Sequence, residues 1–228
     1  MAEEIIPYVE MCRRELSSLQ RGMNFNLGRT YSVILMSVRK NAPYRDSFDE
    51  ERSTIIYEGH DVPKRLGIDP KKIDQVAVST SGRETQNGLF YAAAIGYKQK
   101  RADAHSVRVY EKIREGIWSY NGLFLLVDAW QERSNGRQVF KFELILVNET
   151  DESVVRSPEI SEHRRLIPTQ VKLEVWSRDK GKCVICGSTT ELHFDHDLPF
   201  SKGGTSLTVA NVQLLCARHN LSKGAKII

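Results

Sequence analysis

Residues 183–220 hold two sets of side chains whose types and spacing suit chemistry. Cys183 and Cys186 have two residues between them, and so do Cys216 and His219. That gap lets one turn of chain grip one face of an ion, so two such pairs fit a closed tetrahedral zinc site. Between the pairs lies Asp195-His196, a carboxylate beside an imidazole, with Asn211 and Asn220 following. A neutral imidazole, with an unperturbed pKa near ~6.5, can take a proton from water at cellular pH. Carboxylate and amide oxygens are ligands for a hard divalent ion. The alternative use of the cysteines, as disulfides, needs an oxidising compartment. The opening residues MAEEIIPYVE carry neither a basic nor an apolar leader segment, so reduced, metal-binding cysteines are expected.

These residues need elements to position them. Leu192, Phe194 and Leu198 alternate with His193, Asp195 and Asp197, the period of a strand. Residues 199–204, Pro-Phe-Ser-Lys-Gly-Gly, break that strand as a basic, glycine-rich loop. Residues 211–215 read as a second strand, and Cys216 opens a short helix. A helix over 171–179, preceded by Thr169 as its cap, leads into the first cysteine pair, with Trp176 in a small core. A segment of about sixty residues has little core of its own, and a structural metal is a usual staple for one that small.

Strand, loop, strand and helix over a zinc knuckle resemble the HNH, or ββα-metal, nuclease family. The resemblance runs from about Pro168 to the end and rests on Asp195-His196, Asn211 and the cysteine pairs. It implies that His196 is the general base, that Asp195 and Asn220 hold a catalytic Mg²⁺ or Mn²⁺, and that Asn211 pins the loop orienting His196. The chain departs from the family pattern at His219-Asn220. Either His219 completes a Cys₃His zinc site and Asn220 takes the catalytic ion, or His219 takes that ion and zinc keeps three cysteines. The first keeps the knuckle spacing and is preferred. His193, on the face of Asp195, is either a further phosphate or metal contact or a surface residue.

The chain has 228 residues, enough for two modest domains, with 40% hydrophobic and 27% charged residues and a net charge of +4. No apolar run reaches the ~20 residues that span a bilayer, and the mild basicity is compatible with DNA. A cytoplasmic, prokaryotic setting is expected. Ile5, Ile6, Val9, Cys12, Leu16 and Leu19 recur at helical spacing, predicting a helix over 1–20 stopped by Gly22. It either packs on its own domain or pairs with a second copy. Strands are expected at 30–38, 54–58, 75–79, 107–113, 122–130 and 138–147. A helix is expected at 88–96, and a hairpin turn at Asn135-Gly136. Many strands with few helices suggest a curved sheet or barrel.

Residues 57–61 (Tyr-Glu-Gly-His-Asp), 79–83 (Ser-Thr-Ser-Gly-Arg), 85–88 (Thr-Gln-Asn-Gly), 107–110 (Val-Arg-Val-Tyr), 120–130 and 139–142 occur in an order that resembles the SRA domain, a reader of 5-methylcytosine or 5-hydroxymethylcytosine in DNA. The resemblance implies that the modified base is flipped from the duplex into a pocket. The cost of flipping must be offset by stacking and by hydrogen bonds to the base edge. Tyr57 would be the stacking aromatic, Asp61 the acceptor for the cytosine amino group, and Ser79 and Thr80 the opposite wall. Lys64, Arg65, Lys71 and Lys72 are candidate phosphate contacts, and residues 83–87 are candidates for filling the gap left by the base.

The expected architecture is α+β: an N-terminal helix at 1–20, an SRA-like curved β-barrel with flanking helices at 21–148, a linker at 149–168 and a zinc-stabilised ββα-metal domain at 169–228. Together the two resemblances imply a modification-dependent restriction endonuclease acting on double-stranded DNA that carries modified cytosine. One such centre cuts one strand, so a double-strand break implies a homodimer, with the 1–20 helix as the candidate interface. A non-catalytic reader of methylated DNA would lack Asp195, His196 or Asn211. A nicking or repair nuclease indifferent to modification would share the last domain.

Overall fold

A computed structural model describes residues 3–27, 30–49, 54–64, 69–147, 166–199 and 202–224. The expected linker at 149–168 falls mostly outside the described residues, as does Arg65. The chain divides into two compact units. The first gathers residues 1–18, 110–122 and 161–228, and the second 19–109 and 123–160.

In the first unit, strand β1 is Glu3–Pro7 and helix α1 is only Tyr8–Arg14. The helix expected over 1–20 is therefore corrected. Ile5 and Ile6 are buried in a strand that pairs with two neighbours, as β-branched residues favour. Pro7 begins the helix because it has no N–H to give the ladder and its φ is preset at −65°. Leu16 at φ 48° ends it well before Gly22. The dimer interface expected on that helix loses its carrier.

β1 pairs antiparallel with β7 (Ile117–Ser134) at Ile5↔Ser119, and with β9 (Leu192–His196) at Glu4↔His193. β9 pairs in turn with β10 (Val212–Cys216). Helix α3 (Thr169–Arg178) sets Val171 and Val175 into the core formed by Ile5, Ile113, Phe194, Leu214 and Leu215. A buried lysine of α3, Lys172, ties this unit together. Its ammonium lies 2.5 Å from Glu3, 2.8 Å from Glu111 and 2.9 Å from the Asn121 side-chain oxygen. With two carboxylates and an amide around it, the charge stays paired away from water.

In the second unit the strand order is β2 (Met23–Asn24), β3 (Tyr31–Met36), β6 (His105–Arg114), β7, β8 (Arg137–Leu146), β5 (Thr54–Glu58), β4 (Ser47–Asp49). Among the described residues the path ends on β2 and β4, so the sheet is open there and the expected barrel closure is not formed. The fold class is α+β as expected. Helix α2 (Gln86–Lys98) is capped by Thr85, whose hydroxyl accepts from Gly88 N. It buries Phe90 against Phe25 and Phe142. The β7–β8 turn at Asn135-Gly136 has positive φ at both residues, 51° and 81°, the twist that matches a two-residue hairpin.

The strand expected at 75–79 does not form. Gln75 N donates to Gln138 O, and then its side chain takes over from the backbone. Its Oε1 accepts from Phe140 N at 2.8 Å and its Nε2 donates to Gly59 O at 2.5 Å. One side chain thus supplies bonds that a ladder would have supplied. Among the described residues no helix is long and apolar enough to cross a membrane.

Candidate active site

The knuckles converge. One ligand atom from each of Cys183, Cys186, Cys216 and His219 lies within 4.8 Å of the others. Cys186 and Cys216 sulfurs are 3.8 Å apart, and His219 Nδ1 is 3.4 Å from Cys183 Sγ and 3.3 Å from Cys216 Sγ. Zinc with bonds of about 2.3 Å to sulfur and about 2.0–2.1 Å to nitrogen, at tetrahedral angles, would set edges of about 3.8 Å and about 3.5 Å. The donor set fits, and the four residues can hold zinc. All three cysteines are free thiols. Burial raises the Cys183 thiol, but backbone donors at Cys216, Cys186 and Ile185, with His219, outweigh it and bring it to about 6, favouring the thiolate a metal needs. Local turns build this grip. Gly187 N donates to Cys183 O and Val184 N to Leu214 O, while α4 (Ala217–Lys223) starts at Cys216 and carries His219 back one turn.

Asp195 and His196 end β9, opposite Gln213 and Val212 of β10. Alternation puts Leu192, Phe194 and His196 on one face and His193 and Asp195 on the other. His196 is half-buried, and its Nε2 is 2.8 Å from the hydroxyl of the buried Ser206. Burial pulls its imidazole below the usual histidine range, opposed by Glu3 and Asp195, so the ring is neutral at cellular pH. Asp195 Oδ2 accepts from Lys223 Nζ at 2.7 Å, and the same ammonium donates to His196 O.

Asn211 closes the intervening loop. Its Oδ1 accepts from Leu198 N at 2.7 Å, while Nδ2 donates to Leu198 O at 3.1 Å and Thr205 O at 2.9 Å. Asp197 N donates to Asn211 O. Gly204 permits the closure, since a Cβ there would sit 1.8 Å from Leu198 O and 2.9 Å from Asn211 Nδ2. Asn220 lies on α4 beside His219, half-buried, with its carbonyl accepting from Gly224 N. His193 is half-buried rather than a free surface ring, with Glu4 and Leu215 as its strand partners. Two residues of this centre, Ser206 and Lys223, escaped sequence reasoning. Lys223 carried a usable signal, being one turn beyond His219 and Asn220 on the same side of a helix. Ser206 carried none.

The second unit treats its candidates differently. Tyr57 is 1% exposed, with its hydroxyl 2.9 Å from His60 Nε2. The half-buried ring beside it is Tyr44, stacked on His60 at 4.8 Å and 9° with Lys71 Nζ 4.0 Å above it. Burial pushes His60 down to about 4. Asp61 is held by Arg137 at 2.6 Å, Lys71 at 2.7 Å and Gln75 at 3.2 Å. Burial would raise its carboxyl, but those hydrogen bonds outweigh it and hold it below the usual range. Ser79 and Thr80 lie in a tight turn closed by Ser79 N donating to Arg83 O at 2.8 Å, and Ser79 Oγ bonds within that turn. The structure thus gathers Tyr57 and Asp61 around His60 and leaves Ser79 and Thr80 in the separate 79–83 turn. Of the gap-filling candidates, Arg83 is exposed, whereas Asn87 is buried and holds His60 by its backbone N and O.

The HNH endonuclease family model matches residues 183–226, the stretch that contains both the metal-binding knuckles and the Asp195-His196 pair. The chain carries an HNH endonuclease domain and is a metal-dependent DNA nuclease. No curated protein matches it. Similar solved structures include the SUVH5 SRA domain with hemimethylated CG DNA, at 24% identity and TM-score 0.42, covering 62% of this chain and 84% of that one. SUVH5 SRA bound to fully hydroxymethylated CG DNA is 22% identical with TM-score 0.43, covering 64% and 88%. KRYPTONITE in complex with mCHG DNA and SAH is 18% identical with TM-score 0.44, covering 65% of this chain and 32% of that one.

Proposed function

We propose that this nuclease is modification-dependent: the second unit receives a flipped 5-methylcytosine or 5-hydroxymethylcytosine, and the first hydrolyses the DNA. The observation that carries the nuclease half is the Asp195-His196 pair, with a half-buried, neutral imidazole and a loop closed on Asn211. In the tautomer that donates Nε2–H to Ser206, His196 Nδ1 would keep its lone pair and take the proton of the attacking water. Asp195 and Asn220 offer oxygens suited to Mg²⁺ or Mn²⁺. When bound, such an ion supplies charge stabilisation at the scissile phosphate and leaving oxygen. Cys183, Cys186, Cys216 and His219 brace the centre with structural zinc.

The reader half rests on the ordered residues from Tyr57 to Phe142 and on the carboxylate of Asp61, kept ionised by its cations and able to accept from a cytosine amino group. Tyr57 would be the stacking aromatic, and its burial means that a base reaches it only if the neighbouring side chains move. Ser79 and Thr80 would form the opposite wall. With one such centre among the described residues of each chain, a duplex break would call for two copies. The complete burial of Tyr57 favours one competing reading, a nuclease indifferent to modification.

His196→Ala in the full chain separates the halves. It should abolish cutting and still retard a duplex with one 5-methylcytosine more than its unmodified twin. Cutting that persists would remove His196 from the reaction, and equal retardation would remove the reader. A third duplex with 5-hydroxymethylcytosine distinguishes the two modifications.

A further inference from the structure

Helix α4 ends in a lysine that water does not reach. The Lys223 side chain is 1% exposed, and its ammonium donates to Asp195 Oδ2 at 2.7 Å and to the carbonyl of His196. A buried ammonium is costly unless paired, so it needs a reason to be there. Lys172, the other fully buried lysine named above, has two carboxylates and fastens strands to a helix. Lys223 instead binds the two adjacent residues that the proposed reaction uses, one through its side chain and one through its backbone. Its burial leaves it no way to contact a DNA phosphate.

The geometry points to Lys223 as a positioning residue of the nuclease. It takes Asp195 Oδ2, so that the carboxylate stands in one orientation with Oδ1 left for the catalytic ion, and it fixes the peptide of His196 so that the imidazole keeps its aim. The backbone serves this end. Cys216 begins α4 at the knuckle, and two turns later Gly224, at φ 52°, releases the chain just past Lys223. Cys216 and His219, when they hold zinc, would therefore fix where the ammonium arrives. This inference rests on the assignment of Asp195 and His196 to the reaction.

The test uses the full, zinc-loaded chain: wild type, Lys223→Met, Lys223→Arg, Asp195→Asn, the double variant Asp195→Asn/Lys223→Met, and His196→Ala. Single-turnover cleavage is measured at saturating Mn²⁺, with zinc content and the histidine ring NMR spectrum recorded on each chain without Mn²⁺. Residues that orient a metal ligand are worth about 10- to 100-fold in activity, so Lys223→Met should lose that much, with Lys223→Arg in between. In the double variant the loss should not multiply, because a residue acting through Asp195 has nothing left to act on. The His196 ring signals should shift in Lys223→Met while the other histidines and the zinc stay. A Lys223→Met chain that cuts at the wild-type rate, or losses that multiply, would overturn the inference. Should Lys223→Met lose its zinc, Lys223→Arg carries the test. A slower rate with zinc retained supports the role, and an unchanged rate overturns it. If His196→Ala cuts like wild type, the site reading fails and this inference with it. If His196→Ala is inert and Lys223→Met is not, only the inference fails.

Discussion

Replacing Asn211 distinguishes a specific loop clasp from a merely polar filler. The amide makes three hydrogen bonds, one accepted from Leu198 N and two donated to Leu198 O and Thr205 O. Alanine would strand one N–H and two carbonyls in a half-buried loop. At about 1 kcal/mol each this is about 3 kcal/mol, reduced to about 2 where water enters. Because the two units need not unfold together, the loss is best read locally. A drop of about 2–3 kcal/mol in local stability raises amide exchange by about 30- to 160-fold. Hydrogen exchange at Leu198 N–H in the zinc-loaded chain measures it. Aspartate, nearly the same shape, sharpens the test. It keeps the Leu198 N–H bond but turns a carboxylate oxygen on two carbonyls, so at neutral pH it should be at least as damaging as alanine, recovering as acid protonates it. Aspartate milder than alanine at pH 7, or unchanged Leu198 exchange in Asn211→Ala, would refute the clasp.

Gly204→Ala should disrupt the same loop, since its new methyl would meet Leu198 O at 1.8 Å, and cleavage should fall with zinc content unchanged. Chelating zinc, or Cys186→Ser, should unfold the 183–220 segment, read as lost fluorescence from Trp176, whose ring packs on Gly181, while β5 and β8 amides remain protected. Ser206→Ala should leave zinc binding intact and slow cleavage by about 10- to 100-fold, because the His196 ring loses the hydroxyl that holds its orientation. His60 is favoured neutral by the fold, with its pKa lowered from about 6.5 to about 4, so its contribution is present above pH 6.5 and lost as pH falls toward 4. Between pH 7.5 and 5 wild type should lose about 2 kcal/mol more than His60→Gln, measured by exchange of β5 amides; parallel pH profiles would contradict this.

The nuclease end was legible because its chemistry is local. Two x-x-spaced knuckles and an acid–base pair on an alternating strand are visible within forty residues, and the loop glycine between them reads as a turn. Lys223 was not read as part of the site because a terminal helical lysine is ordinarily solvated, and only the pairing of β9 with β10 under α4 buries it. Ile5 and Ile6 fit a helix and a strand equally well by spacing. What decides is Pro7 and the presence of β7 and β9 as pairing partners, which are distant in sequence. Gln75 shows another limit, since side-chain bonds that replace a ladder leave no periodic trace. In the second unit the order of residues was legible, but the burial of Tyr57 and the cations around Asp61 involve His60, Arg137 and Lys71, which lie far apart in the sequence.

If modification licenses cutting, a methylated plasmid and its unmethylated twin should meet different fates. Two preparations of one plasmid, identical except for 5-methylcytosine, are incubated with the full chain and Mg²⁺ or Mn²⁺, and loss of the supercoiled form is followed. The modified plasmid should be cleaved and the unmodified one left intact. Equal rates on both would contradict it.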